Sequence, residues 1–523
     1  MTQLLTAEQM RAVEQGAIES GAATGLEMMD RAGHGVARAA LARCAGPGHA
    51  LVLAGPGNNG GDGLVVARLL RQSGWEVEVR LWGRAPDEID RLPPDAAANA
   101  ARWAALGEIR PWDDAAIAGA IGAHRHDLVI DALFGTGATR PMPETTARAG
   151  EALRAAAGAA GAPLVVAVDL PSGICSDSGR DLGGAFAADL TVTFHAAKLG
   201  HHLCDPATGA GGPEACGEIA VVEIGLGDAA PEGPACRLAG PPDPVRIGKR
   251  AGHKYAHGHA LVLAGGVGRG GAARMAARGA LRIGAGLVTV GCPPAALIEN
   301  AARLDAIMLR PVADRAGLEA LLADPRMSAV CLGPGLGLGA RTRDLALAAL
   351  EARPPRGVVL DADALTAFAE APKVLFGRLH AGAVLTPHDG EFARLFPDIA
   401  GRLSEPVSRG PCYSRLDAAR AAADRAGCTV LLKGPDTVIA APDGAAAVSS
   451  AHGAQAVPWL ATAGAGDVLA GMIAGLLARG EEAPEAAGTA AWLHVAAARK
   501  VGPGLVAEDL PEALPGVLRA LGC

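Results

Sequence analysis

Residues 51–70 read LVLAGPGNNGGDGLVVARLL: an apolar run, a cluster of glycines, then a helix-like segment. Gly55, Gly57 and Gly60 satisfy G-x-G-x-x-G, the pattern of a strand–turn–helix whose backbone approaches a pyrophosphate. An ordinary dinucleotide turn has one further demand, an acid at the end of the next strand to hold the ribose. That strand reads WEVEVRLWGR (75–84), with Glu76 and Glu78 early in it and Trp82 and Arg84 at its end. The acid is missing, so Asn58, Asn59 and Asp62 become the informative residues.

Working outward, the first segment, TAEQMRAVEQGAIESG, has Thr6 and Gln9 at capping-box spacing and predicts a helix. A second helical pattern, GLEMMDRAGHGVARAALAR, precedes the first strand. Short apolar runs then alternate with helical patterns: ALVLAG, WEVEVRLW, DLVIDALFG, PLVVAVDLPSG, DLTVTF and GEIAVVEIG. That alternation predicts a parallel α/β sheet covered on both faces. Residues 226–246, LGDAAPEGPACRLAGPPDPVR, lose the periodicity and read as a linker, placed at 229–245. The alternation restarts with HALVLAGG, GLVTVGCP, AVCLGPG, GVVLDADAL, AVLTPHDGE and TVLLKGPDTVIAAPDG. Two tandem α/β domains are expected, 1–228 and 246–523.

Composition narrows the function. Half of the 523 residues are hydrophobic, 20% are charged and only 3% are aromatic, a globular balance with cores of small aliphatics. A net charge of −8 and a pI near 6.0 offer no global basic field for nucleic acid or an acidic membrane. The N-terminus lacks a basic, then apolar, leader, and no apolar run reaches the ~18–20 residues of a bilayer span. The ten cysteines include no C-x-x-C pair. Reduced thiols and a cytoplasmic setting are therefore expected.

The Gly-rich polar segments of the first half fall at predicted strand ends, where parallel sheets bind ligands. NNGGDG (58–63), DALFGTG (131–137), VDLPSG (168–173) and TFHAAKLG (193–200) resemble the YjeF N-terminal family, the NAD(P)H-hydrate epimerases. The resemblance spans roughly residues 1–225 and implies a Rossmann-like domain that interconverts the R and S epimers at C6 of hydrated NADH or NADPH. It further implies a potassium ion held by Asn59, Asp131 and Ser172. Hydrate contacts would come from Asn58, Asn59, Gly60, Gly61, Asp62, Gly135, Thr136, Gly137, Ala138, Thr139, Arg140, Pro141 and Asp169. The chemistry suits these types: a hard monovalent cation needs several oxygen donors, and a carbinolamine carbon needs a proton acceptor beside its hydroxyl. Asp169 is the candidate acid–base residue; a turn aspartate is the alternative. Lys198 reads either as a phosphate contact or as a solvated lysine.

In the second half, GGVGRGG (265–271) repeats the glycine spacing without a following acid before Glu299, and no Walker motif occurs. ATAGAGDVLAG (461–471) places a Gly-rich turn at a helix start with Asp467 just inside it. Backbone N–H groups there can stabilise a transferring phosphoryl group while the aspartate takes a proton from the attacking hydroxyl. With HKYAHGHALVLAGG, GAGLVTV, LGPGLG, LDADAL, LTPHDGE and LLKG, the segment resembles the YjeF C-terminal family, the ADP-dependent NAD(P)H-hydrate dehydratases, over about 246–523. That implies a ribokinase-like α/β domain which phosphorylates the S hydrate from ADP and then eliminates phosphate, releasing AMP. Gly335, His388 and Asp467 would meet the hydrate, with Asp467 as base. Lys433, Gly434, Pro435, Asp436, Thr437 and Gly466 would meet the nucleotide, with Mg2+ at the diphosphate and Glu391 nearby. Asp361 and Asp363 read equally as caps or as neighbours of the phosphates. The run HGAQAVPWLATAGAGD departs from the family in Ala463 and Trp459, which bears on nucleotide choice.

The expectation is a bifunctional repair enzyme acting on small molecules (the hydrates NADHX and NADPHX, and ADP) as a homo-oligomer, with no nucleic-acid or membrane partner. A small-molecule kinase of the hydroxymethylpyrimidine type shares the GAGD turn, and a non-catalytic scaffold shares the N-terminal fold; these are the rival readings. Metal ligation is a minor reading for His253, His257 and His259, and for His201, His202, Cys204 and Asp205.

Overall fold

In the first sheet every strand is parallel to its neighbours. The computed structural model describes residues 2–249 and 252–523. The chain divides into two compact units: Thr2–Gly233 together with Glu405–Ser414, and Pro234–Ser404 together with Arg415–Cys523.

In the first unit the strand order is Ile109–Pro111, Glu76–Leu81, His49–Ala54, Leu128–Ala132, Leu164–Val168, Leu190–Phe194, Glu218–Val222. The run from His49–Ala54 outward in one direction and from Leu128–Ala132 in the other makes a switch point between those two strands. Their C-terminal loops, PGNNGGDG and LFGTG, therefore splay apart over a crevice. Apolar clusters cover both faces, one built on Val52, Val65, Val66 and Ile130, the other on Leu51, Leu53, Val129 and Phe186. The helix Ala7–Glu19 carries the expected Thr6–Gln9 capping box.

The second unit repeats the logic. Met308–Pro311, Leu287–Cys292, His259–Leu263, Met327–Leu332, Gly357–Leu360, Ala383–Leu385 and Thr429–Leu432 lie side by side in parallel. Asp436–Ala440 and Ala446–Ser450 then continue antiparallel. The switch point falls between His259–Leu263 and Met327–Leu332, which puts GGVGRGG and GPGLG at its mouth. Cys236–Leu238, inside the aperiodic segment 226–246, forms a strand parallel to Ala446–Val448; three residues are too few to display alternation.

Helices Gly271–Arg282 and Ala465–Ala478 pack through small residues. A Cβ on Gly471 would lie 1.9 Å from the Ala276 carbonyl oxygen, and one on Gly475 would lie 2.7 Å from that of Ala280. This close approach seats the GAGD turn against the sheet, within a core of alanines, valines and leucines. Among the described residues no helix is long and apolar enough to cross a membrane.

Candidate active sites

At the switch point of the first unit lies a cavity of about 500 Å³. Gly57, Asn58, Asn59 and Asp62 line it from the first loop, Gly135, Thr136, Gly137 and Ala138 from the second, and Asp169 from the third. Gly57 caps the helix Asn58–Gln72 without a side-chain bond, so the first N–H groups of that helix are free to meet an anion. The other fingerprint glycines serve packing. A Cβ on Gly55 would sit 1.9 Å from the Leu133 carbonyl oxygen and one on Gly60 1.9 Å from that of Gly55, whereas Gly57 has open space around it. Gly61 packs against Met29 and Ala96. Thr139, Arg140 and Pro141 lie outside the cavity lining.

Asp169 follows the strand Leu164–Val168 with φ +66, a conformation a non-glycine residue adopts only when its surroundings impose it. Its Oδ1 accepts bonds from Lys198 Nζ and Thr193 Oγ1, both 2.8 Å, and its Oδ2 accepts the Thr136 amide at 3.3 Å. Lys198 is 1% exposed, and its ammonium also donates to Thr193 Oγ1 at 2.8 Å and Phe194 O at 3.1 Å. It is thus a buried counter-charge to Asp169, neither solvated nor a phosphate contact. His201 braces the pair, with Nε2 2.8 Å from the Asp169 carbonyl and Nδ1 accepting the Lys198 amide at 2.8 Å. Burial and then the neighbouring ammonium push this imidazole down to about 4, so it is neutral.

Burial alone would raise the Asp169 carboxyl, but the Lys198 charge and hydrogen bond outweigh it and hold the group below the ordinary carboxylate range. Asp62 behaves in the opposite way: burial, then the charges of Asp169 and Glu14, push it well up. Glu14, from the first helix, is also raised by burial and by Asp169. One wall of the cavity therefore carries an ionised carboxylate and two that favour the proton, the separation that acid–base pairs require.

Behind this wall Asp131, 1% exposed, accepts the Ser172 amide at 2.7 Å and the Ser172 hydroxyl at 2.6 Å. Burial raises it to about 6 against those bonds, and no basic side chain among the described residues pairs with it. The Asn59 Nδ2 is buried without a hydrogen-bond partner, and a Cβ on Gly135 would lie 2.8 Å from Asn59 Oδ1 and 3.3 Å from Asp169 Oδ2. Arg11, Glu14, Met28, Met29, Phe194 and Ile224 are among the other residues that line the cavity. Most of these lie outside the quoted motifs, on helices whose sequence signals only amphipathic packing; Phe194 alone falls inside one.

In the second unit Asp467 lies in the first turn of Ala465–Ala478, whose N-cap, Gly464, has φ +92 and no side-chain cap. His494 holds the turn, its Nε2 donating to the Ala465 carbonyl at 2.9 Å. Lys433 Nζ meets Asp361 Oδ1 at 2.7 Å and Glu391 Oε2 at 3.8 Å, and a Cβ on Gly466 would lie 3.5 Å from it. Lys433, Asp361, Glu391 and Gly466 are thereby brought together beside Asp467. Burial first, then Asp361, push Asp467 up to about 7, with Lys433 partly opposing them. Asp361 also accepts the Thr386 hydroxyl at 2.9 Å, while Asp363 caps the Gly337 amide at 2.8 Å.

The KGPDT loop is fixed from below. Arg415, 3% exposed, donates to the Lys433 carbonyl at 2.8 Å and pairs with Asp436 at 3.1 Å and Asp389 at 2.7 Å. Asp436 is accordingly buried, and the Thr437 hydroxyl closes the turn onto the Gly434 carbonyl at 2.7 Å. Gly335 has φ +70, and its carbonyl passes so near Gly265 that a Cβ there would lie 2.0 Å away. His388 caps the helix Asp389–Leu395, accepting the Gly390 amide at 3.0 Å, and sits 3.4 Å from Glu391. Arg415 was outside every motif; a lone arginine at the start of a helix carries no sequence signal for this role.

Residues 25–200 match the family model for the YjeF-related protein N-terminus, and residues 260–514 that for NAD(P)H-hydrate dehydratase. The chain is 36% identical to the bifunctional NAD(P)H-hydrate repair enzyme Nnr of Salinibacter ruber, across 98% of this chain and 96% of that one. It is 47% identical to the NAD(P)H-hydrate epimerase of Rhodobacter capsulatus, across 38% of this chain and 92% of that one. A Bacillus subtilis ADP/ATP-dependent NAD(P)H-hydrate dehydratase, crystallised with ATP and Mg2+, overlays 52% of this chain and 94% of its own at 28% identity and a TM-score of 0.42. Full-length identity of this order, with both family models in sequence, makes the chain a member of the bifunctional NAD(P)H-hydrate repair enzymes, which join an epimerase to a dehydratase.

Proposed function

We propose that the cavity of the first unit inverts C6 of NADH and NADPH hydrates with Asp169 as its acid–base residue. The observation that carries this is the ionised Asp169 facing a cavity in which two further carboxyls, Asp62 and Glu14, favour the proton. Inversion of a carbinolamine carbon breaks and remakes a bond at C6. Removal of the hydroxyl proton lets the C6–N1 bond open to an aldehyde, the nitrogen re-adds to the other face, and the proton returns to the oxygen. A carboxylate fixed by Lys198 and Thr193 can make both proton transfers without moving. The free N–H groups after Gly57 suit the diphosphate of the dinucleotide.

Asn59, Asp131 and Ser172 fit a potassium ion in their chemistry: a buried carboxylate that pairs with no basic side chain among the described residues, with a hydroxyl and an amide that each carry an oxygen, offers the oxygen donors a monovalent cation requires. When bound, potassium supplies positive charge beside Asp131 and fixes the loops that carry these donors. The steps themselves belong to the chain's own groups: Thr136 and Lys198 orient the Asp169 carboxylate, and the apolar Met28, Met29 and Phe194 limit water.

In the second unit Asp467 takes the proton of the C6 hydroxyl as that oxygen attacks the terminal phosphorus of ADP. The helix N-terminus and Lys433 carry the charge that develops, AMP leaves, and loss of phosphate from C6 with a proton from C5 restores the reduced nicotinamide. Phosphate leaves where hydroxide would not. Magnesium, when bound with the diphosphate, neutralises phosphate charge. Incubation with mixed R and S hydrates, ADP and Mg2+ tests the whole reading by recovery of reduced-nicotinamide absorbance. Complete recovery is expected. Recovery that stops when the S form is spent overturns the epimerase assignment; none with ADP or ATP overturns the dehydratase assignment.

A further inference from the structure

The segment Glu405–Ser414, EPVSRGPCYS, belongs to the first unit although the chain on either side of it belongs to the second. Arg180 Nη2 donates to the Glu405 carbonyl at 2.9 Å, the Gly410 amide donates to the Thr139 carbonyl at 2.9 Å, and the Cys412 amide lies 3.5 Å from Cys175 Sγ. Beneath it Cys175, Leu182 and Cys412 form a small apolar cluster with Ala138 and Val407. Ala138 also lines the epimerase cavity, and Cys175 stands three residues after Ser172.

These two thiols are unlike the others. The Cys412 side chain and amide beside Cys175 outweigh burial and hold its thiol below the ordinary range, while the Cys412 thiol, 3.6 Å from the Arg409 carbonyl, is raised. Burial pushes Cys216, Cys236 and Cys428 up to about 12, where they are inert.

We propose that Cys175 and Cys412 form a redox modification site, a dithiol that a peroxide converts to a disulfide, pinning the Glu405–Ser414 segment against the loop that walls the epimerase cavity. The Cys175 thiolate attacks one peroxide oxygen, giving a sulfenic acid and releasing the other oxygen as water. The Cys412 sulfur then attacks the sulfenic sulfur and expels the second water. Two thiols lose two hydrogens and one peroxide becomes two waters. Cys175 is 1% and Cys412 8% exposed, so the reaction proceeds from brief local opening of this irregular segment. With Gly410 fixed on Thr139 and Cys412 on Cys175, the Gly135–Pro141 loop can no longer loosen to pass substrate.

The disulfide stands on its own; the effect on rate rests on the epimerase reading, for which the reduced enzyme is the control. Reduced full-length enzyme is treated with equimolar hydrogen peroxide, its remaining thiols are blocked, and it is digested without reductant for mass spectrometry. A linked Cys175–Cys412 peptide is expected, abolished by dithiothreitol and absent from Cys412→Ser. Epimerisation should fall about threefold or more and recover with dithiothreitol, while dehydration and the Cys412→Ser enzyme are unaffected. Free, sulfinic or otherwise paired Cys175 and Cys412 overturn the site, and a linked enzyme that epimerises at the reduced rate overturns the coupling. Absence of epimerisation in the reduced enzyme strikes the epimerase assignment instead, and leaves the linked peptide to decide the site.

Discussion

At the scale of single residues the two aspartates sit in opposite environments, and pH separates them. Asp467 is raised to about 7, so dehydration should climb with pH through that region and level above it. Asp361→Asn removes a charge that raises Asp467 and should move the rising limb to lower pH; a limb that stays in place would remove Asp467 from the role of base. Asp467→Asn should abolish dehydration, retain epimerisation and stabilise the second unit. The sign follows from linkage: a carboxyl raised from 3.8 to about 7 in the folded state costs stability progressively as pH rises between those values, a cost fully present above them and absent in the amide. Thermal unfolding at pH ~8 should show a gain on the order of 1–2 kcal/mol that vanishes below pH ~4. Asp169 answers the other way. Lys198→Met frees it to rise, so the acidic limb of epimerisation should move up by about one unit or more, with a far larger loss at low pH than at pH ~8. A loss uniform across pH would make Lys198 merely structural.

At the scale of elements, the loops that build both sites were legible because glycine punctuation at strand ends is a backbone requirement, written in sequence. The six strands read from alternation in the first half, from ALVLAG to GEIAVVEIG, each correspond to a strand of the sheet. What the pattern could not show is tertiary. Lysine is ordinarily exposed, so nothing local marks Lys198 as buried, and EPVSRGPCYS has no periodicity to announce that it packs on a distant loop. Nor does the fingerprint say which glycine faces a ligand. The structure separates them, and substitution should too. Gly55→Ala and Gly60→Ala each drive a Cβ to 1.9 Å from a backbone oxygen and should cost more than ~2 kcal/mol, with loss of epimerisation. Gly57→Ala has space around it and loses only a helix cap, at most about 1 kcal/mol, yet it lines the cavity and should raise the KM for hydrate. Equal destabilisation by all three in chemical unfolding would contradict this division.

At the scale of the molecule, every side chain assigned to the first site lies within Thr2–Gly233, and every one assigned to the second lies within Pro234–Ser404 or Arg415–Cys523. Neither site borrows a residue from the other unit, so the two activities should separate by single substitutions and recombine in solution. With mixed hydrates, ADP and Mg2+, Asp169→Asn should recover only the S fraction and then stop, once the rate of a control lacking epimerase is subtracted. Asp467→Asn should recover nothing while bringing the epimers to equilibrium, visible by chromatography. An equimolar mixture of the two variants should then recover all of the reduced cofactor, because the S hydrate released by one chain is an ordinary substrate for the other. The rate supplies the sharper outcome. If the hydrate passes through bulk water, doubling the Asp169→Asn partner should shorten the approach to full recovery until epimerisation limits it, and the mixture should match wild-type enzyme at equal numbers of each working site. A mixture that stalls at the S fraction, with both parents active in their own half-reactions, would mean that the hydrate never leaves the chain that makes it, and the two units could no longer be treated as self-contained.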